Sequence, residues 1–355
     1  MEINNSYKEL LASQVQRVEK SEDYSRLMVA ELQSNMILDY QQDQTAFVAD
    51  RWVPLAPMKT IAGLIGKMDK ENKFTPRAAT WRPGTIPATG AVKVGTPISF
   101  ACQRYAFQSN LTDDIPFVAD EVYNIEVATT RLVSDVLQLN KELIIKDALF
   151  KAGVWGIDLT GVNSSETWAP GEVTTGETFR RFNDSDSDPL NLFKDLRLAI
   201  KQKIGVKPNT ILMGEQVYEA LRLNPTLISL YRNPQGAEEV PTKLNERMIA
   251  QALDVDPENF IVAGAMYNKA QPGATVDLDW IFGKSIWYGF VEQPGMYKTF
   301  AAMNVSFNEP LGGFDTALVT VPDLISHAEY YQGFQCFQPV VMEPYAGAFL
   351  ENAIA

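Results

Sequence analysis

The strongest periodic signal in the chain runs from Val122 to Phe150. Val122, Ile125, Thr129, Leu132, Val136, Leu139, Leu143, Lys146 and Phe150 follow alternating steps of three and four, the spacing of one helical face. This predicts a helix from about Asp120 to Lys151, on the order of 45–50 Å long, with Gly153 placed to end it. Leu132, Val136, Leu139 and Leu143 are its expected buried stripe. Heptad spacing over such a length also suits a coiled coil. Thr129 and Lys146 interrupt the seam, however, and the flanks carry few paired charges, so packing on a sheet is the preferred reading.

Upstream the pattern is weaker. Tyr7, Leu10, Leu11, Val15 and Val18 share one helical face, and Tyr24, Leu27, Met28 and Leu32 share another, with Ser21, Glu22 and Asp23 as a cap between them. The polar stretch Asp39–Asp50 has no period. Two short helices of this kind bury little by themselves, so this reads as an N-terminal arm that needs something else to lie on. Residues 59–104 have strand-like edges, Thr60–Met68 and Pro97–Gln108, around a centre rich in Pro, Gly, Thr and Ala. They describe a long projecting β-hairpin; an ordinary exposed insertion is the plainer alternative.

Downstream, Trp155–Ser187 is loop-rich in composition. Helices are then predicted at Pro189–Ile204, Gln216–Leu223, Pro225–Tyr231 and Lys243–Leu253. Strands are predicted at Thr210–Met213, Phe260–Ala265, Trp280–Val291 and Ala301–Phe307. The alternation implies a mixed α/β unit over about Gly156–Pro322. The tail, Leu324–Ala355, is aromatic and β-prone. No repeat of solenoid period is visible.

Composition adds exclusions. A length of 355 residues suits two or three folding units, and 46% apolar with 21% charged residues argues against wholesale disorder. The net charge of −13 is uneven. Residues 59–104 hold eight basic side chains against Asp69 and Glu71, a net +6 that leaves −19 for the rest. Such acidity argues against a nucleic-acid-binding surface spread over the whole protein. His327, the single histidine, cannot supply a two-histidine metal site. Cys102 and Cys336 lie far apart with no CxxC, which argues against a zinc ribbon or redox pair and suits a reducing cytosol. Met1–Lys20 lacks the apolar core of a signal peptide, and no run of eighteen apolar residues predicts a membrane-spanning helix. A soluble protein made in the cytosol is expected.

Catalytic patterns fail one by one. Gly283-Lys284-Ser285 ends like a phosphate-binding loop, but Leu278 stands where the leading glycine belongs. Ser326 beside His327 does not make a triad by adjacency, and no GxSxG elbow exists. Asp184, Asp186 and Asp188 resemble the start of a calcium loop, yet Pro189 takes the glycine position and Asp195 the final glutamate position. Asp188 is better read as the cap of the following helix, with Pro189 in its first turn. Acidic pairs for hydrolysis are set in space rather than in sequence, so a carboxylate-dependent enzyme stays open.

The order of parts is more informative than any motif: arm, basic hairpin, long helix, α/β unit, aromatic β-tail. It resembles the major capsid protein of tailed bacteriophages, an α+β architecture of Hong Kong 97 type. Two stretches carry the likeness: Pro208–Gly214 followed by Val217–Leu221, and the ending Val340–Phe349 around Ala346-Gly347. The resemblance implies an N-terminal arm (1–50), a peripheral domain with a spine helix (51–58 and 105–155) and an E-loop (59–104). It further implies an axial domain (156–322) and returning peripheral strands (323–355). It implies a non-enzymatic, cofactor-free subunit that assembles with itself, as hexamers and pentamers, into an icosahedral shell around double-stranded DNA. The DNA would be enclosed without sequence-specific binding, and no membrane would be involved. Lys67, Lys73, Arg77, Trp81, Arg82 and Lys93 are then the expected inter-subunit contacts of the hairpin. The arm starts almost at Met1, so a separate scaffolding protein is expected, with a portal and a decoration protein as further partners. Synthesis in the bacterial cytoplasm and residence in the virion follow. An encapsulin-type compartment shares the architecture and stands as the alternative.

Overall fold

A computed structural model describes residues 42, 44–112, 125–163, 173–231, 243–271, 273–307, 316–323 and 327–355. The helices predicted before residue 42 lie outside the described residues. In chain order the strands are β1 (Leu55–Met58), β2 (Ala62–Ile65), β3 (Ile98–Ala101), β4 (Gln103–Thr112), β5 (Ile157–Val162), β6 (Thr178–Arg180) and β7 (Thr210–Gly214). They continue with β8 (Phe260–Ala263), β9 (Met266–Asn268), β10 (Leu278–Trp280), β11 (Ile286–Gly289) and β12 (Ala302–Phe307). The last are β13 (Thr316–Asp323), β14 (Ala328–Val341) and β15 (Gly347–Glu351). The main helices are Ile125–Leu149, Pro189–Ile204 and Glu215–Arg222, with shorter ones at Pro225–Leu230 and Glu246–Ala252.

The chain divides into two compact units. The larger takes Asp43–Tyr105, Leu137–Ala317 and Phe334–Ala355. Its centre is a six-stranded mixed sheet in the order β6-β5-β15-β11-β7-β8. The strand β7, Thr-Ile-Leu-Met-Gly, is buried along its whole length between β11 and β8, as a continuous apolar run in a covered sheet should be. The helix Pro189–Ile204 is fixed at both ends. Asp188 accepts from the Leu190 and Asn191 amides at 3.1 and 3.2 Å, and Gly205 closes the helix at φ +80°. Asp184 and Asp186 pair with Arg180, so the aspartate run caps and braces. Trp52 sits at an aromatic centre, 5.9 Å from Phe150, 6.1 Å from Phe282 and 5.4 Å from Trp287 between ring centroids. Such edge-to-face groups add to the burial of these large rings.

A second sheet of this unit runs β1-β12-β14, with β1 parallel to β12 and β12 antiparallel to β14. Its smaller core holds Ala56, Phe100, Cys102, Met303, Val305, Cys336 and Val340. The described residues of the other unit are 42, 106–112, 125–136, 318–323 and 327–333. There β4 pairs with β14, and β13 lies on the other side of β14. Leu111, Val133 and Ala328 are its buried apolar residues, and Gln332 donates to Gln108 at 2.6 Å.

Three expectations are corrected. The long helix exists, but its buried residues are Val133, Leu137, Lys141, Glu142, Ile145 and Leu149, whereas Leu132 is 49% exposed. Val136, Leu139 and Leu143 are half-buried, the latter two against the main core. A stripe drawn through apolar residues skips Lys141 and Glu142, the two polar residues the structure buries, and so comes out rotated. Second, β5 lies inside the stretch read as loop, pairing with β15 and β6 in the main sheet. Third, strand pairing crosses the expected boundaries: β12 joins β1 and β14, whereas β15 joins the six-stranded sheet.

Candidate functional site

The basic hairpin is present but its strands are shorter than Thr60–Met68 and Pro97–Gln108, because Gln103–Gln108 belongs to β4, which pairs with β14. Strands β2 and β3 pair antiparallel from Ala62↔Ala101 to Ile65↔Ile98. The ladder continues through a Met68↔Val94 bridge, with the Gly95 amide donating to Lys67 O at 2.8 Å and the Asp69 amide to Lys93 O at 3.2 Å. A single helical turn, Glu71–Phe74, follows on the outgoing arm. At the tip, Arg82-Pro83-Gly84-Thr85 closes with the Thr85 amide donating to Arg82 O at 3.2 Å, and Gly84 takes φ +91°. Proline second and a left-handed glycine third is the chemistry of a type II turn.

The six expected contact residues divide into two groups. Lys67, Arg77 and Lys93 are engaged within the chain. Lys67 Nζ lies 3.0 Å from Glu343 Oε2, Arg77 Nη2 lies 3.6 Å from Glu71 Oε2, and Lys93 pairs with the same Glu71 carboxylate. Asn72 ties the two arms together, donating to Lys93 O at 2.6 Å and accepting from the Lys93 amide at 2.8 Å. Lys73, Trp81 and Arg82 are exposed, although the Trp81 indole donates to Thr85 O at 2.6 Å. Alongside them Leu64, Phe74, Ile86, Val92 and Val94 are also exposed, Ile86 to 88%. A hairpin this apolar and this basic has the residue types of a contact surface.

Its root is held by residues that no spacing pattern marks. Glu343, 10% exposed, receives both Lys67 and Lys70 at 3.0 Å. Burial alone would raise its carboxyl pKa, but the hydrogen bonds and charges of Lys67 and Lys70 outweigh that and hold it below the usual value. Lys70 also stands over the Tyr345 ring, 5.1 Å from its centroid, as does Lys203 at 5.9 Å. A second hidden carboxylate, Glu142, accepts from the Val48 and Ala49 amides at 2.9 and 3.0 Å. Burial pushes it up to about 7 despite those bonds. Lys141, equally buried, pairs with Asp50 at 2.6 Å. Glu343 and Glu142 each meet partners some ninety or more positions away, so only the fold reveals them.

The remaining candidate motifs are quiet. Lys284 of the Gly-Lys-Ser triplet donates to Ala355 O at 2.6 Å. Cys102 and Cys336 are free thiols in the same small core cluster, although more than two hundred positions separate them. Burial pushes Cys102 up to about 11, with Cys336 adding to the rise. Among the described residues no helix is long and apolar enough to cross a membrane, and no group of three or more His, Cys, Asp or Glu is placed to hold a metal.

Comparison with known structures places this arrangement. A phage-related protein from Bordetella bronchiseptica RB50 superposes with a TM-score of 0.61 at 18% identity, over 88% of this chain and 94% of the other. The capsid of cyanophage P-SCSP1u superposes with a TM-score of 0.55 at 10% identity, covering 89% and 90%. The chain has the Hong Kong 97-type capsid fold. That fold is not confined to viruses. The encapsulin of Synechococcus elongatus PCC 7942 matches with a TM-score of 0.51 at 10% identity, over 92% and 94% of the two chains. In sequence, the major capsid protein of Burkholderia phage BcepMu is 25% identical over 109 residues. That match spans about a third of each chain, 31% of this one and 31% of the relative. No protein-family model matches.

Proposed function

We propose that this protein is the major capsid protein of a tailed bacteriophage, a structural rather than catalytic subunit that assembles into an icosahedral shell around double-stranded DNA. The observation that carries the reading is a capsid fold over nine-tenths of the chain joined to sequence similarity with a protein named as a major capsid protein. Residues 59–104 act as the E-loop, with Lys73, Trp81, Arg82 and the exposed apolar residues reaching a neighbouring copy. The +6 hairpin against a −19 remainder gives copies complementary electrostatics. Hexamers and pentamers of the chain are the assembly units. A separate scaffold, a portal and a decoration protein complete the particle, which is built in the bacterial cytoplasm. The arm, expected over residues 1–50, cannot include Val48 and Ala49, which are buried in the main core of this subunit.

The likeness to an encapsulin supports a second reading, a compartment that holds an enzyme cargo. Particle contents decide between them. Particles recovered from cells that express the chain with its neighbouring genes are expected to protect double-stranded DNA from added nuclease. Particles that hold a co-purifying enzyme and no protected DNA would replace the phage reading with the compartment reading.

A further inference from the structure

A two-stranded hairpin standing alone in water is marginal at best, so the order of this one needs a support. The structure shows what that support is. Glu343 lies between the end of β14 and the 3-10 turn Pro344–Ala346 that leads into β15. The turn is tied to the core of the larger unit by the Gly156 amide, which donates to Pro344 O at 2.9 Å, and by the Phe290 amide, which donates to Ala346 O at 2.9 Å. On this mount a mostly buried carboxylate receives two lysines of the outgoing hairpin arm, one on each oxygen, each at 3.0 Å.

Each lysine makes a second bond beside the first. Lys67 Nζ donates to Met342 O and Lys70 Nζ to Lys203 O, both at 3.2 Å. The latter carbonyl lies in the last turn of the helix Pro189–Ile204, where the helix dipole favours a cation. Phe74, one turn further along the arm, rests on Gly205 just past that helix. A Cβ at position 205 would lie 2.6 Å from its ring.

We propose that Glu343 is the hub of an ionic latch that seats the root of the basic hairpin on its own subunit. The latch fixes the direction in which the tip leaves before any neighbour is met. Glu343 is a positioning residue: the exposed residues beyond the latch make the contact, and Glu343 aims them. The aiming role rests on the shell reading; the latch itself does not.

Hydrogen exchange in the full-length, unassembled protein tests the latch. The reporters are the Gly95 and Asp69 amides, which close the hairpin ladder, with β7 and β11 as internal references. In E343Q the reporters are expected to exchange about tenfold faster, the scale of losing charge-assisted bonds that are partly open to solvent. The references should not change. The double variant K67Q/K70Q removes the same latch from the hairpin side and should give the same result, including if E343Q alone disturbs the core. Reporter exchange unchanged in K67Q/K70Q would overturn the latch. Failure of the wild-type protein to form shells would count against the shell reading and leave this measurement standing.

Discussion

Leu132 and Leu137 sit five residues apart on the long helix, and the fold gives them opposite roles. Leu137 is 2% exposed and Leu132 is 49% exposed. Truncating a fully buried leucine to alanine removes its burial free energy and leaves a cavity, together about 2–5 kcal/mol. Truncating one that keeps half its surface in water forfeits only part of the transfer term, under about 1 kcal/mol. Against a typical total of 5–15 kcal/mol, the first change is large and the second is small. Urea denaturation of Leu137→Ala and Leu132→Ala, compared at constant m-value, reads this difference directly. Leu137→Ala should lower the midpoint markedly, and Leu132→Ala should leave it close to wild type. Equal losses would mean that the helix is rotated from the position described, with Leu132 in the core as the apolar periodicity alone predicts.

The buried carboxylate of Glu142, raised to about 7 from 4.5, makes the folded state bind a proton that the unfolded chain has released. Its contribution is therefore present below about pH 4.5 and lost as pH rises through about 7. Stability should fall over that window, and Glu142→Gln should flatten the fall; an identical pH profile in the variant would refute this assignment. Glu343 has the opposite sign: its carboxyl is held below the usual value, so its ion pairs contribute at neutral pH and are lost on acidification. Hairpin reporters should lose protection, measured against the intrinsic exchange rate at each pH, as acid protonates Glu343 in the wild type, and should show no such loss in E343Q. Cys102 and Cys336, both buried with raised thiol pKa, should resist iodoacetamide at pH 8 in the folded protein and react on unfolding. Rapid labelling of the native protein would show that the second core opens. Reversing charge at Lys73 and Arg82 together should leave the subunit folded while weakening shell assembly, and capsids at unchanged yield and salt sensitivity would remove the hairpin from the interface.

Much of the architecture was legible from local pattern. The helix Pro189–Ile204 is where Asp188, Pro189 and Gly205 place it, because cap chemistry is local. The buried strand Thr210–Gly214 is a continuous apolar run, and the hairpin is outlined by its Pro-Gly centre. What escaped is what depends on distant partners. Strand β5 looks like loop because Asp158, Thr160 and Gly161 break its apolar run, although its buried positions alternate. The helix stripe was rotated because Lys141 and Glu142 are buried by pairing with Asp50 and with the Val48 and Ala49 amides. Lys67, Arg77 and Lys93 carry the charge that marks a contact residue, yet the fold engages all three within the chain, at Glu343 and Glu71. Charge counts cannot distinguish a lysine that reaches a neighbour from one that anchors its own hairpin.

The central claim, that this chain builds a closed shell, is tested most directly by the mass and shape of what it forms. Analytical ultracentrifugation and negative-stain imaging of the purified protein, alone and with any co-encoded scaffold, should reveal closed icosahedral particles in the megadalton range. A monomer or small discrete oligomer under every condition, scaffold included, would contradict the account.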